Sequence, residues 1–130
     1  MADFPENLLY TNEHEWVRLS ADKKSAVVGI TSFAVEQLGD VTMVELPDEG
    51  STVTKDETFG TVESVKAVSD LFAPLTGTVK RINTPLNDSP EYVNEATYDE
   101  GWMIEVELTK PEELDALMDA AAYTAFVADQ

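Results

Sequence analysis

Apolar and polar residues alternate in short runs along most of the chain. Seven segments rich in Val, Thr, Ile and Phe read as strands: 15–19, 25–30, 41–46, 58–65, 68–72, 77–83 and 102–108. Gly29, Gly39, Gly50 and Gly60 recur roughly every ten residues among them, the rhythm of a sheet protein with frequent turns. Several of these segments carry apolar residues on both faces, as when two sheets pack together. Helical patterns interrupt this in two places. Thr31 or Ser32 is placed to cap a short helix over 32–38, with Gly39 as its stop. Further on, Pro111, Glu112 and Glu113 open a helical segment on which Leu114, Leu117 and Met118 share a face. Asp119 caps a second, on which Tyr123, Phe126 and Val127 pack down. There is also an internal echo: Pro47-Asp48-Glu49-Gly50 before Ser51-Thr52-Val53, and Pro74-Leu75-Thr76-Gly77 before Thr78-Val79. It hints at a duplicated turn-and-strand unit.

Composition narrows the picture. A chain of 130 residues, 43% of them hydrophobic, reads as one domain over 1–130 with a real core. No apolar run approaches the ~20 residues of a membrane-spanning helix. The absence of cysteine removes disulfides, thiol nucleophiles and thiolate metal sites. The start, Met1-Ala2-Asp3-Phe4-Pro5-Glu6, has neither a basic-then-apolar leader nor an Arg-rich one, so an unprocessed cytoplasmic protein is expected. The 26 acidic residues against 8 basic ones give a net charge of −18. Such a field repels nucleic acid and anionic membranes, so neither is expected as a partner. It is compatible with steering toward basic partner surfaces, and equally with a solvated surface that serves solubility or a salty cytoplasm.

Catalytic chemistry is hard to assemble from these residues. His14 is the single histidine, and beside Trp16 it reads as a structural or surface group. There is no phosphate-binding glycine loop. Acidic pairs such as Glu112-Glu113 and Asp99-Glu100 are expected from abundance alone. No catalytic residue and no metal ligand is assigned, and a carrier or binding protein is expected rather than an enzyme.

One lysine of six has distinctive surroundings. Lys66 lies within Gly60-Thr61-Val62-Glu63-Ser64-Val65-Lys66-Ala67-Val68-Ser69-Asp70, with no other basic residue between Lys55 and Lys80. If the two apolar runs pair as a hairpin, Lys66 stands at the bend with its amine in water, open to a modifying enzyme. Position alone favours an ordinary exposed turn lysine.

The motif Glu63-Ser64-Val65-Lys66-Ala67 followed by Ser69-Asp70 resembles the lipoyl-lysine motif of the H protein of the glycine cleavage system. The resemblance runs in order along nearly the whole chain. It takes in Tyr10 to Val17, Gly29-Ile30-Thr31, Gln37 to Val41, Val44-Glu45-Leu46-Pro47, and Ala73-Pro74 with Gly77. It continues through Asp88-Ser89-Pro90 with Val93-Asn94, Gly101-Trp102-Met103-Ile104, and Leu117 to Ala120 with Tyr123. The family often carries Asp where Ser32 stands and Gln where Val35 stands.

The resemblance implies a mainly β fold, a flattened, barrel-like sandwich of two antiparallel sheets related to biotinyl and lipoyl domains, with helices at the C-terminus. It implies lipoate joined by an amide to Lys66, within a recognition motif of Glu63, Ser64, Val65 and Ala67. Four partners follow. Glycine decarboxylase loads an aminomethyl group and aminomethyltransferase unloads it to tetrahydrofolate. Dihydrolipoyl dehydrogenase reoxidises the dithiol, and a lipoyl or octanoyl transferase, or a lipoate ligase, attaches the arm. Glu15 and Asp70 correspond to residues near a cleft that shelters the loaded arm, and a monomer is expected. Two alternatives share the hairpin logic: an H-like protein that relays lipoyl groups, and a biotinyl carrier. Biotin sites usually place Met on both sides of the lysine, where Val65 and Ala67 stand here.

Overall fold

The computed structural model describes residues 4–129; residues 1–3, part of the Met1-to-Glu6 start read above, and residue 130 lie outside it. Among the described residues nine strands form two antiparallel sheets. The strands are β1 Leu9–Tyr10, β2 Glu15–Leu19, β3 Ser25–Ile30, β4 Val41–Glu45, β5 Thr52–Val53, β6 Thr58–Ser64, β7 Val68–Phe72, β8 Gly77–Ile82 and β9 Ile104–Leu108. The larger sheet has the order β1-β2-β3-β9-β8-β5 and the smaller β4-β6-β7. The two sheets stay separate rather than closing into one barrel. Val28, Val79, Ile104 and Val106 from the larger sheet share one buried cluster with Val44, Val62 and Leu71 from the smaller. Each such side chain contributes about 1.5–3 kcal/mol relative to exposure, so the inter-sheet layer dominates stability. No described helix is long and apolar enough to cross a membrane.

Helix α1, Ser32–Leu38, follows β3 and buries Val35 and Leu38. Val35 thus faces the core. Thr31, not Ser32, is the cap: its hydroxyl accepts the Ala34 N–H at 3.3 Å. Ser32 instead bonds the Tyr98 hydroxyl through its N–H, at 2.9 Å, and its Oγ, at 3.0 Å. Gly39 ends the helix at φ 78°, where a side chain would strain the backbone.

A second cluster lies at the β1 edge. Trp16 pairs across strands with Gly29, and a Cβ there would stand 2.6 Å from the indole. Helix α3, Ala120–Ala128, is capped by Asp119 on the Ala122 N–H (2.8 Å) and buries Tyr123 against Tyr10, the rings stacked at 4.7 Å.

Several boundaries differ from the sequence reading. The segment expected as a helix from Pro111 through Met118 is a 3-10 turn, Pro111–Ala116, followed by extended chain. Met118 exchanges two 2.8 Å bonds with Tyr10, so its backbone joins the sheet edge and Leu117 and Met118 leave the helical face. Strands expected to reach 46, 65 and 83 stop at Glu45, Ser64 and Ile82, and the last begins at Ile104 rather than 102. At that end the Asn83 amide binds the carbonyls of Glu100 (2.6 Å) and Trp102 (2.7 Å), which holds 100–102 as a turn. The echo segments pair with each other, Thr52 opposite Thr78 and Val53 opposite Gly77. The elements with no sequence signal are β1, the 3-10 turn Thr84–Asn87 and the four-residue helix α2, Tyr92–Glu95, all too short for periodicity to register.

Candidate functional site

Strands β6 and β7 form a hairpin, with Glu63 opposite Val68 as its last pair, and Val65, Lys66 and Ala67 make the exposed bend. None of the three has a positive φ, so no glycine is required there. Ser64 shapes the bend instead. Its Oγ accepts the N–H groups of Lys66 (3.3 Å) and Ala67 (3.1 Å) and donates to the Ala67 carbonyl (3.3 Å). Its own N–H donates to that carbonyl at 2.8 Å.

The bend rests on the end of α1. The Val65 N–H donates to the Asp40 carbonyl at 3.1 Å, and a Cβ on Gly39 would lie 3.5 Å from Lys66 Cε. Asn94 of α2 fixes that support, accepting the Val41 N–H at 2.8 Å and donating to the Gly39 carbonyl at 2.9 Å. Lys66 is therefore held by backbone. Among the described residues the ion pair is Arg81–Glu105, which leaves the Lys66 ammonium outside any salt bridge.

A cleft of about 720 Å³ opens along β7. Ile30, Phe33, Ala34, Leu38 and Val62 give it apolar walls, and Glu13, Glu15 and Asp70 line it as well. The structure thus brings the two carboxylates singled out from sequence, Glu15 and Asp70, to one cavity. Asp70 is exposed on edge strand β7, four residues along the chain from Lys66.

Glu15 is 2% exposed. Burial pushes its carboxyl up to about 7, against the pull of bonds from Thr11 and the Phe72 backbone. The Thr11 hydroxyl accepts the N–H groups of Glu13 and Glu15, both at 3.2 Å, so its hydrogen is free to donate to Glu15 Oε1 at 2.6 Å. A smaller cavity of about 360 Å³, lined by Thr11, Lys55 and Leu117, lies beyond and shares Glu13, Glu15 and Phe72 with the first.

His14 stands on the cleft wall as a structural group. Its Nδ1 lies 2.8 Å from the Tyr123 hydroxyl, which lies 2.8 Å from Thr31 Oγ1, and its ring packs on Phe33. Burial pushes the imidazole down, toward the neutral form, and lifts the Tyr123 phenol to about 12.

Thr11, Glu13, Phe33 and Asn94 were not singled out as site residues by sequence reasoning. Each lies in a different segment from the lysine motif, and only the folded topology brings them to it.

The chain matches the family described as Glycine cleavage H-protein over residues 8–130. It is 59% identical to the glycine cleavage system H protein of Anaeromyxobacter sp. (strain K) over 128 residues, 98% of each chain. It is 55% identical to that of Brevibacillus brevis over 125 residues, 96% of this chain and 98% of the other. Its fold is similar to the crystal structure of a glycine cleavage system H protein from Mycobacterium marinum, with a TM-score of 0.88 and 38% identity, covering 96% of this chain and 99% of that one. A lysine-tipped hairpin beside an apolar, acid-lined cleft, together with matches of this extent, places the chain in the glycine cleavage H-protein family.

Proposed function

We propose that this chain is the cytoplasmic lipoyl carrier of glycine cleavage and that Lys66 is the residue that carries lipoate. The observation that supports this most strongly is the bend itself: an exposed lysine on a rigid hairpin, next to a cleft whose walls suit an eight-carbon apolar chain. The amide forms between Lys66 Nζ and the acyl carbon of an activated donor; the donor's thiol or phosphate leaves, and the amine's surplus proton goes to solvent. Lipoate on Lys66 supplies a disulfide that takes up the aminomethyl group of glycine and, as a dithiol, is reoxidised.

The chain's own residues then divide the work. Ser64 and the Gly39–Asp40 support fix the direction in which the Lys66 stem leaves the bend. Glu63, Val65 and Ala67 complete the surface that a modifying enzyme meets. Ile30, Phe33 and Leu38 exclude water from an arm lying in the cleft. Glu15 and Asp70 hold the protonated nitrogen of the cargo by charge-assisted hydrogen bonds. Tethering replaces diffusion among glycine decarboxylase, aminomethyltransferase and dihydrolipoyl dehydrogenase by a high effective concentration.

Peptide mapping of the protein from lipoate-competent cells tests the assignment. A single lipoyl increment is expected, on the peptide that contains Lys66. A biotin increment, or a lipoyl increment on another lysine, overturns it.

A further inference from the structure

The large hydrophobic side chains left in water among the described residues are Met43, Val65 and Val68, exposed by 43%, 70% and 65%. All three stand at the Lys66 end of the smaller sheet. Met43 on β4 lies opposite Glu63 on β6, and Glu63 lies opposite Val68 on β7, so the three form one row across the sheet. Val65 continues the patch onto the bend.

Met43 is on that face because the backbone is irregular there. Strand β4 carries a bulge between Val41 and Met43, so that Val41 pairs with Ser64 while Met43 pairs with the adjacent Glu63. Strict alternation from buried Val41 would turn Met43 into the core. With the extra residue, Thr42 and Met43 both face out, and the buried position passes to Val44. Bulges recur where a side chain must be re-aimed beside a functional site. Here one aims a large apolar side chain into solvent, beside the lysine.

The surroundings are acidic. Glu63 sits inside the row, Glu45 and Asp70 occupy the next row on either side of Thr61, and Asp40 lies under the bend. Lys66 is the sole basic residue between Lys55 and Lys80. The surface is an apolar pad rimmed by carboxylates, which complements an apolar socket rimmed by basic side chains.

We infer that this pad is the surface by which the enzyme that acylates Lys66 grips the hairpin, an inference that rests on the lipoyl-carrier reading above. Reach decides between this enzyme and the later ones. Before acylation the nucleophile is one lysine side chain from the backbone, so an acylating enzyme must sit on the bend and its neighbouring strands. After acylation the reacting sulfurs lie at the far end of the arm, and enzymes acting there need not cover Met43 or Val68.

The test uses the unmodified protein with a lipoate ligase, lipoic acid and ATP. In the double variant Met43→Gln, Val68→Thr each new side chain has nearly the shape of the old one at an exposed strand position, and a thermal scan checks the fold. The kcat/KM for acylation is expected to fall at least fivefold, chiefly through KM. The same variant, lipoylated to completion, is expected to accept aminomethyl groups from glycine decarboxylase within twofold of wild type. Unchanged acylation overturns the inference, and so does a matching fall in both steps. If the double variant fails to fold, Val68→Thr alone carries the same comparison. Wild type that takes up no lipoyl group at Lys66 defeats the carrier reading itself, which is a different result.

Discussion

Lys66→Arg is expected to abolish lipoylation and to reduce glycine-dependent turnover to the level seen without a carrier. Arginine keeps the positive charge and the aliphatic stem, but its guanidinium stays protonated at any working pH and does not form the amide. The fold should not notice the change. Ser64 and the Asp40 carbonyl hold the bend through backbone groups, and among the described residues the Lys66 ammonium is in no salt bridge. An exposed substitution of this kind shifts stability by no more than about 0.5 kcal/mol. Intact-mass analysis should show the increment vanish while the urea midpoint stays in place. An increment that persists in Lys66→Arg contradicts the assignment.

Glu15→Gln should have two separable effects, because Glu15 is both buried and in the cleft. The first is on stability. The folded carboxyl titrates at about 7 against 4.5 unfolded, so between those values the folded chain binds more protons than the unfolded one. Stability from this group is therefore complete below about pH 4.5 and is lost as pH rises through 7. At about 1.4 kcal/mol per pH unit, the loss approaches roughly 3 kcal/mol. Glu15→Gln removes that dependence. Urea unfolding should find the variant and wild type equally stable near pH 4 and the variant more stable by about 3 kcal/mol near pH 8.5. A variant no more stable at pH 8.5 contradicts the burial argument.

The second effect is on cargo. Lipoylation should proceed normally in Glu15→Gln and in Asp70→Asn, but the aminomethyl-loaded form should decay about ten- to a hundredfold faster. A charge-assisted hydrogen bond contributes about 1.5–3 kcal/mol, which is that order of rate. Equal decay rates for wild type and both variants rule out the proposed role. The two effects together describe a carboxyl kept in an unfavourable place for folding, as groups at functional sites often are.

The strand pattern was legible because inter-sheet packing imposes alternation that survives in the sequence: β2, β3 and β7 have the bounds that the pattern predicts. Helix α1 and the start of α3 were legible from chemistry at their ends, Thr31 with Gly39 and Asp119. The hairpin around Lys66 was legible for the same reason, two apolar runs with a polar bend. The cleft was not, because it joins three separate stretches of chain, residues 13–15, 30–38 and 62–72, and nothing local records that they meet. The burial of Glu15 was hidden in the same way. Between Trp16 and Glu13 it reads as one more acid of 26, and only the packing of Phe72 and Thr11 around it sets it apart. Met43 shows a third kind of loss. Its exposure follows from a bulge, and a one-residue shift in pairing leaves no mark in composition or hydropathy. Met118 failed as a helix residue because its backbone found a better partner in Tyr10 than in its own turn.

Whether glycine's aminomethyl group travels on Lys66 is decided by one reconstitution. Purified lipoylated protein is combined with glycine decarboxylase, aminomethyltransferase, dihydrolipoyl dehydrogenase and tetrahydrofolate, and carbon dioxide release from carboxyl-labelled glycine is followed. Release should saturate with added carrier and be absent with the unlipoylated protein. Release that does not respond to the lipoylated protein would contradict the carrier role.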